Sequence, residues 1–421
     1  MILEALSAIV NNIIAVFALT WWVVLPLALG FVFWKFWVYH VYIGYLRSIK
    51  WTLLEIKIPA VIEKTPKAME QVFAAVYSIY SFGLRFSQKY IEGHLREDWI
   101  SFELVGFAGG VHFYIRTPEG YRNLIEASVY AQYPDTEIHE AEDYKKLMPQ
   151  TLPNKVYDVW GTDYHLSRED AYPIQTYHYF EEAQKEKRLD PIAALTEAMS
   201  KLKNDEAIWI QILVSPTGDE WKKEGEALRD KLIGRKKPAS KGFADRVWEF
   251  FRNFSIATIE HPVWSGDEKP REGPNPLLLL TQGERDVVEA IEKKISRLGF
   301  KTNIRFLYID RRDSFTRSNI GAVMSSFQQY STLNLNSLRP NVDTFTVIRG
   351  NIKLFKDRRL WFRKRRIWES YRRMFWPKKV SVLNVEELAT IFHFPSIVVE
   401  APLLRRLGAK KGEPPAGLPV E

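Results

Sequence analysis

The sequence has no cysteine among its 421 residues, which excludes disulfides, thiolate metal sites and cysteine nucleophiles and is in keeping with a cytosolic face. It also has no G-x-x-x-x-G-K-[ST] run to wrap backbone amides around phosphates. Gly234-Arg235-Lys236-Lys237 lacks the second glycine, and Gly106–Gly110 falls in a hairpin turn that opens no helix. No H-E-x-x-H, paired-carboxylate spacing or G-x-S-x-G elbow is present. The eight histidines are scattered. His112, His139, His165 and His178 fall on separate predicted strands and read as satisfied strand residues, not ligands. The residues give no reason to expect an enzyme, a cofactor or a metal.

A net positive excess is lacking too, outside one stretch. The formal charge is +8, yet Lys353 to Lys379 alone holds 12 Lys and Arg against 2 acids, a local +10 that leaves about −2 for the rest. The basic character belongs to one segment and not to the protein.

What is present first is apolar. Ala5 to Trp34 carries no charge over 30 residues, and about 20 suffice to cross a bilayer. Asn11-Asn12 weaken its start, so a span is expected at roughly 13–37 within a 1–50 anchor. Trp21, Trp22, Trp34, Trp37, Tyr39, Tyr42 and Tyr45 read as interfacial anchors, although Trp21 and Trp22 then fall inside the span. A signal peptide is disfavoured by the missing basic n-region, the length and the absent A-x-A site; a buried core helix is the plainer alternative. Glu4 precedes the run, while Lys35, Arg47, Lys50 and Lys57 follow it. The positive-inside rule then predicts a single-pass protein of the cytoplasmic (inner) membrane, its bulk in the cytoplasm.

The stretch from Asp98 to Tyr144 is the clearest fold signal. WISFELVG and VHFYIRTP alternate apolar with polar residues, as half-buried strands do, around a glycine turn. EGYRNLIEASVYAQY follows as a helix opened by Pro118, with Tyr121, Leu124, Ile125, Ser128 and Val129 on one face, and TEIHEAEDY returns as a strand. This is half of a ferredoxin-like α+β unit. Upstream, 51–64 reads as a strand, and a helix from Pro66 buries Met69, Val72, Phe73, Val76, Ile79 and Tyr80. Downstream, KVYDVWGTDYHLS reads as a strand pair broken at Gly161, and AYPIQTYHYFEE as a strand. A helix begins at Asp190-Pro191, EAIWIQILVSP is a central strand, and GDEWKKEGEALRDKLIG is a helix. Residues 233–280, rich in Lys, Pro and Gly, read as linker around a short helix near 243–254. A helix restarts at Thr281; FKTNIRFLYID, a second helix, LNSLRP and DTFTVIRG complete another α+β half. The expected architecture is α+β: an anchor, ferredoxin-like lobes at 51–232 and 281–350, a basic helical segment at 351–380 and a tail at 381–421.

KLFKDRRLWFRKRRIWESYRRMFWPKK carries Leu354, Arg358, Trp361, Arg365, Trp368, Arg372 and Phe375 at helical spacing. Arg358, Arg359, Arg363, Lys364, Arg365, Arg366, Arg372 and Arg373 are the candidate anionic-partner residues. Three uses stay open: phosphates and bases of DNA, anionic headgroups, or a solvated face that pairs with a partner's acids.

Three stretches together resemble the amino-terminal, non-ATPase half of conjugation-type (type IV secretion) ATPases of the HerA/FtsK superfamily: FELVGFAGGVHFYIRTPEGYRNLIEASVYAQYPDTEI, with its YAQYP at Tyr130–Pro134, LNVEELATIFHFP at Leu383–Pro395 and KKGEPPAGLP at Lys410–Pro419. With weaker similarity at 155–216 and 284–338, the resemblance covers most of 50–420. In that family the last stretch leads into the ATPase core, whereas no position here matches its nucleotide-binding residues. The resemblance implies a non-catalytic, membrane-anchored subunit that docks a separate HerA/FtsK-type ATPase, with Leu388, Ile391, Phe392 and Phe394 as the apolar docking contact. It leaves room for a homo-oligomer. The competing expectation is a membrane-tethered nucleic-acid-binding protein that acts without a motor.

Overall fold

The computed structural model describes residues 2–59, 64–108, 110–182, 190–234, 280–348, 355–395 and 406–407. The linker expected at 233–280 therefore lies, from 235 to 279, outside the described residues. So do Lys353 and Leu354 of the basic segment and the KKGEPPAGLP stretch.

The apolar run forms one helix, α1 (Ile2–Ser48). Its part from Ala18 to Ser48 is long and apolar enough to cross a membrane, a requirement that a signal sequence also meets. Leu25, Leu27, Leu29, Phe31, Phe33 and Phe36 are exposed, so the body does not cover this helix. From Trp34 on, the helix joins the body. The Tyr45 hydroxyl bonds the Asp98 carboxylate at 2.5 Å, and Tyr45, Leu46 and Ile49 pack with Trp51, Trp99, Leu213, Met374 and Trp376.

The body is built on one antiparallel sheet of nine strands. β1 (Trp51–Pro59), α2 (Lys67–Val76), β2 (Ile100–Phe107), β3 (Gly110–Pro118), α3 (Arg122–Gln132) and β4 (Glu137–Glu140) follow in sequence, and their strands lie in the order β4-β1-β3-β2. Then come β5 (Tyr157–Leu166), α4 (Tyr177–Glu182), α5 (Ala193–Ser200), β6 (Ala207–Pro216), α6 (Glu220–Leu232), α7 (Gln282–Ile295), β7 (Gly299–Arg311), α8 (Arg317–Gln328) and β8 (Leu338–Pro340). Their strands take the order β8-β5-β7-β6. First, second, third and fourth strand thus occupy equivalent places in each half. β2 and β6 join the halves edge to edge, from Ile100 opposite Val214 to Phe107 opposite Ala207. α9 (Lys356–Arg372), β9 (Ser381–Asn384) and α10 (Val385–Ile391) follow. β9 pairs with the start of β7, and Arg406–Leu407 adds a short parallel pairing to the end of β1.

Several expectations change here. The boundary expected at 233–280 does not separate two groups of strands, because β5 lies between β7 and β8; that stretch instead interrupts the connection from β6 to β7. β5 is also continuous through Gly161. A Cβ there would strike the Leu307 side chain and lie 2.8 Å from the Phe306 carbonyl oxygen, so the glycine permits close strand packing and breaks nothing. The stretch at 171–182 is a loop leading into α4, not a strand, and DTFTVIRG forms no strand over its described residues.

Strand alternation sends side chains to two faces. On β6, Ile208, Ile210, Ile212 and Val214 enter the main core with α2, α3, α5, α8 and α10. Ala207 and Trp209 face the opposite side, where Ile367, Trp368 and Tyr371 of α9 cover them. Thr281 and Asn384 begin α7 and α10 with capping boxes completed by Glu284 and Glu387. Lys294 and Glu387 pair at 3.1 Å, fully buried, and tie these helices together.

Candidate anion-binding cleft

The basic segment does form a helix, and only one stripe of it is apolar toward the sheet. Ile367, Trp368 and Tyr371 are buried, at the i, i+1, i+4 positions that share a helix face. Beneath the last turn of α9 the sheet face becomes polar. Arg305 of β7 pairs with Asp163 of β5 at 2.8 Å and donates to the Ser370 and Phe375 carbonyls, each at 2.8 Å. Gln211 and Lys145 donate to the carbonyls of Tyr371 and Arg372 at 3.3 and 3.2 Å. These donors add to the backbone bonds that Phe375 and Met374 donate to the Ser370 and Tyr371 carbonyls and complement the negative dipole end of the helix. Next to them, Glu103 accepts from Tyr144 at 2.8 Å and from Arg116 at 3.4 Å. Burial alone would raise the Glu103 carboxyl, but the charges of Arg116 and Lys145 with the hydroxyls of Tyr144 and Ser101 hold it below the usual carboxylate range. Burial, with Arg116 nearby, pushes Lys145 down to about 8.

The eight basic residues singled out from the sequence do not act alike. Lys364 pairs with Asp158 at 2.6 Å. Arg363 donates to the Phe345 and Val347 carbonyls at 3.0 Å, and Arg372 donates to that of Gln150 at 2.7 Å. These three bind the helix to the body. Arg373 pairs with Glu369 at 3.2 Å. Arg358 and Arg365 lie over the rings of Phe362 and Trp361, at 5.8 and 5.6 Å, and Arg359 and Arg366 are exposed.

Past the helix the chain turns back through Met374, whose φ is 53°, and brings Phe375, Trp376, Lys378 and Lys379 beside the end of α1. Arg96 stacks on the Trp376 ring at 5.2 Å. The result is a cleft of about 830 Å³. One wall is Tyr39, Tyr42 and Ile43 of α1; another is Arg363 and Arg366 of α9; Arg96, Lys378 and Lys379 line the mouth, and Asp163 with Arg305 forms the floor. Once Arg305 and Asp163 neutralise each other, five cations face Asp343 as the remaining acid. The Asp163 Oδ2 atom is buried without a hydrogen-bond partner among the described residues.

Sequence reasoning grouped Lys378 and Lys379 with the basic segment but had no way to add Arg96, which arrives from a distant loop. The signal available for Asp163 and Arg305 was a charge inside an otherwise apolar strand, TDYHL and NIRFLYI.

The expected docking residues are corrected by their burial. Leu388, Ile391, Phe392 and Phe394 are 0, 4, 1 and 1% exposed. Phe392 and Phe394 pack edge-on against Phe113, at 5.9 and 5.4 Å. They are core, and no partner reaches them in this fold.

Of the histidines, His112 and His139 lie on strands and bond Glu55 and Glu137, whereas His178 lies on α4. His178, Glu70 and Glu386 come together in the one grouping among the described residues with metal-ligand spacing. Cations already hold both carboxylates: Arg297 reaches Glu70 at 2.9 Å and Glu386 at 3.1 Å, and Lys293 lies 3.5 Å from Glu386. That charge balance matches a structural ion network.

No curated protein matches the chain. Residues 48–404, which begin at the last residue of α1 and span the whole sheet, match the family described as a domain of unknown function, DUF8128, and the chain belongs to that family.

Proposed function

We propose that this chain is a membrane-anchored, non-catalytic platform. In this reading α1 crosses the cytoplasmic membrane once and the sheet domain lies in the cytoplasm. There it holds a separate HerA/FtsK-type ATPase in a secretion- or conjugation-like machine. The observation that carries the platform reading is the junction: the last turns of α1 are part of a packed cluster with Trp51, Trp99 and Leu213, so the end of the helix is seated on the sheet domain. The two strand groups, each in the order fourth-first-third-second, support reading the halves as a pair of ferredoxin-like units. The ATPase itself rests on the resemblance of Tyr130–Pro134 and Leu383–Pro395. With the tail residues in the core, the contact would have to come from another surface, and the exposed face of α9 is the charged one available.

Co-expression of the full chain with a Walker-containing ATPase encoded beside it, followed by purification in mild detergent, tests the reading. Stoichiometric co-elution is expected; an ATPase that elutes alone sinks it. The second reading, a membrane-tethered nucleic-acid binder acting without a motor, is favoured by Trp361 and Phe362, exposed by 39 and 53% with arginines stacked on them, since such planes accept bases. Tight, salt-dependent binding of single-stranded DNA without the ATPase would support it.

A further inference from the structure

We propose that the cleft between α1 and α9 receives the phosphodiester headgroup of an anionic phospholipid that also carries hydroxyls, of which phosphatidylglycerol is the simplest form. The inference rests on α1 lying in a membrane.

The first ground is charge. Among the described residues Arg96, Arg366, Lys378 and Lys379 have no carboxylate partner, and they converge with Arg363 on one cleft. Basic side chains this close to a bilayer attract anionic lipid, and the cleft volume falls within the range of small-ligand sites.

The second ground is depth. The Trp37 indole donates to the Tyr90 carbonyl at 3.1 Å, and Trp34 stacks against the Tyr90 ring at 5.3 Å. Gly93, with φ +86°, lets this segment approach so closely that a Cβ would lie 2.5 Å from the Val41 carbonyl oxygen. The segment turns Phe86 and Ile91 outward, exposed by 68 and 65%. Exposed aromatic and aliphatic groups beside Trp34 and Trp37 fit the interfacial belt of a bilayer. At 1.5 Å per residue, Tyr42 lies about 8 Å along the helix from Trp37, which is headgroup depth.

The third ground is the floor. The Asp163 side chain is 2% exposed, and its Oδ2 has no partner among the described residues. A carboxylate oxygen only accepts. A ligand held by its phosphate at the cationic mouth would therefore direct a hydroxyl, and not a second anion, toward that oxygen.

The full chain, purified from membranes and placed in phosphatidylcholine nanodiscs with added phosphatidylglycerol or phosphatidic acid, is examined by native mass spectrometry for retained lipid. One phosphatidylglycerol per chain is expected, preferred over phosphatidic acid because of its hydroxyls. R366Q/K379Q should lower retention roughly tenfold or more, and the charge-keeping R366K/K379R should restore most of it. Soluble glycerophosphoglycerol is added to the chain in pure phosphatidylcholine discs. Binding there that R366Q/K379Q abolishes assigns the same chemistry to a free phosphodiester; no binding there leaves the lipid as the source. Equal retention by parent and R366Q/K379Q, or equal retention of phosphatidylcholine, overturns the proposal. A chain that does not enter nanodiscs at all overturns the anchor reading along with it.

Discussion

Arg305 on β7 and Asp163 on β5 form an ion pair at 2.8 Å with almost no exposure, from sequence positions on either side of the long interruption between β6 and β7. The same guanidinium binds the end of α9 through Ser370 and Phe375. A single side chain thus joins two strands and the basic helix.

Replacing it should be costly. In R305M the Asp163 charge stays buried without its cation and the Ser370 and Phe375 carbonyls each lose a donor, a loss on the order of 3–5 kcal/mol. Chemical denaturation of the full chain in detergent measures it. A change under about 1 kcal/mol would mean that water replaces the guanidinium.

The arginines of α9 should divide by face. R358Q/R365Q/R366Q is expected to leave stability within about 0.5 kcal/mol while weakening binding to anionic partners in a salt-dependent way, since exposed charge attraction is screened over about 8–10 Å. K364A instead strips the largely buried Asp158 of its nearer cation, leaving Arg312 at 4.0 Å, and should cost about 1–3 kcal/mol. Equal Tm values for both variants would erase the distinction.

The tail should behave as core. L388A and F392A are each expected to destabilise by about 2–5 kcal/mol, and truncation after Val380 should yield misfolded protein, not a folded domain that has lost one partner. A truncated chain with parental circular dichroism and Tm would return these residues to a docking role.

Asp170 gives a pH signature. Burial, opposed in part by Lys294, raises its carboxyl from 3.8 to about 6. A folded pKa above the unfolded one means that stability present below pH 3.8 is lost as pH rises to about 6; the shift amounts to about 3 kcal/mol at neutral pH. D170N should therefore raise Tm at pH 7 and lose that advantage near pH 3.8. An equal gain at both pH values would point to packing and not to titration.

Topology is accessible because the chain has no native cysteine. A cysteine at Glu220 on α6 is expected to react with an impermeant maleimide only after the cells are opened. Labelling in intact cells would invert the orientation.

Much of the local structure was legible because local rules govern it. Uncharged length identified α1, alternation identified β2 and β3, and the helix expected to restart at Thr281 is α7, whose capping box only the structure shows. The apolar stripe of α2 was readable because Met69, Val72, Phe73 and Val76 recur at helical spacing, and they are buried. Helicity of the basic segment followed from its aromatic and arginine spacing in the same way.

Which side of an element faces what is a different matter. The sequence by itself determined that Leu388, Ile391, Phe392 and Phe394 are apolar, and apolarity suits a docking surface and a core alike. Only the packing of α10 against α2 and the Phe113 side of the sheet decided for the core. It determined, too, that residues 353–379 are basic; tertiary structure decided that Arg363, Lys364 and Arg372 bind carbonyls and a carboxylate of the body while Arg366 faces a cleft. Strand order was beyond reach for the same reason. β5 and β7 are separated by an interruption whose length carries no information about pairing, because loop closure costs little more as loops lengthen. Their register is held by contacts such as Gly161 against Leu307 and Asp163 with Arg305, which exist only once both strands are in place.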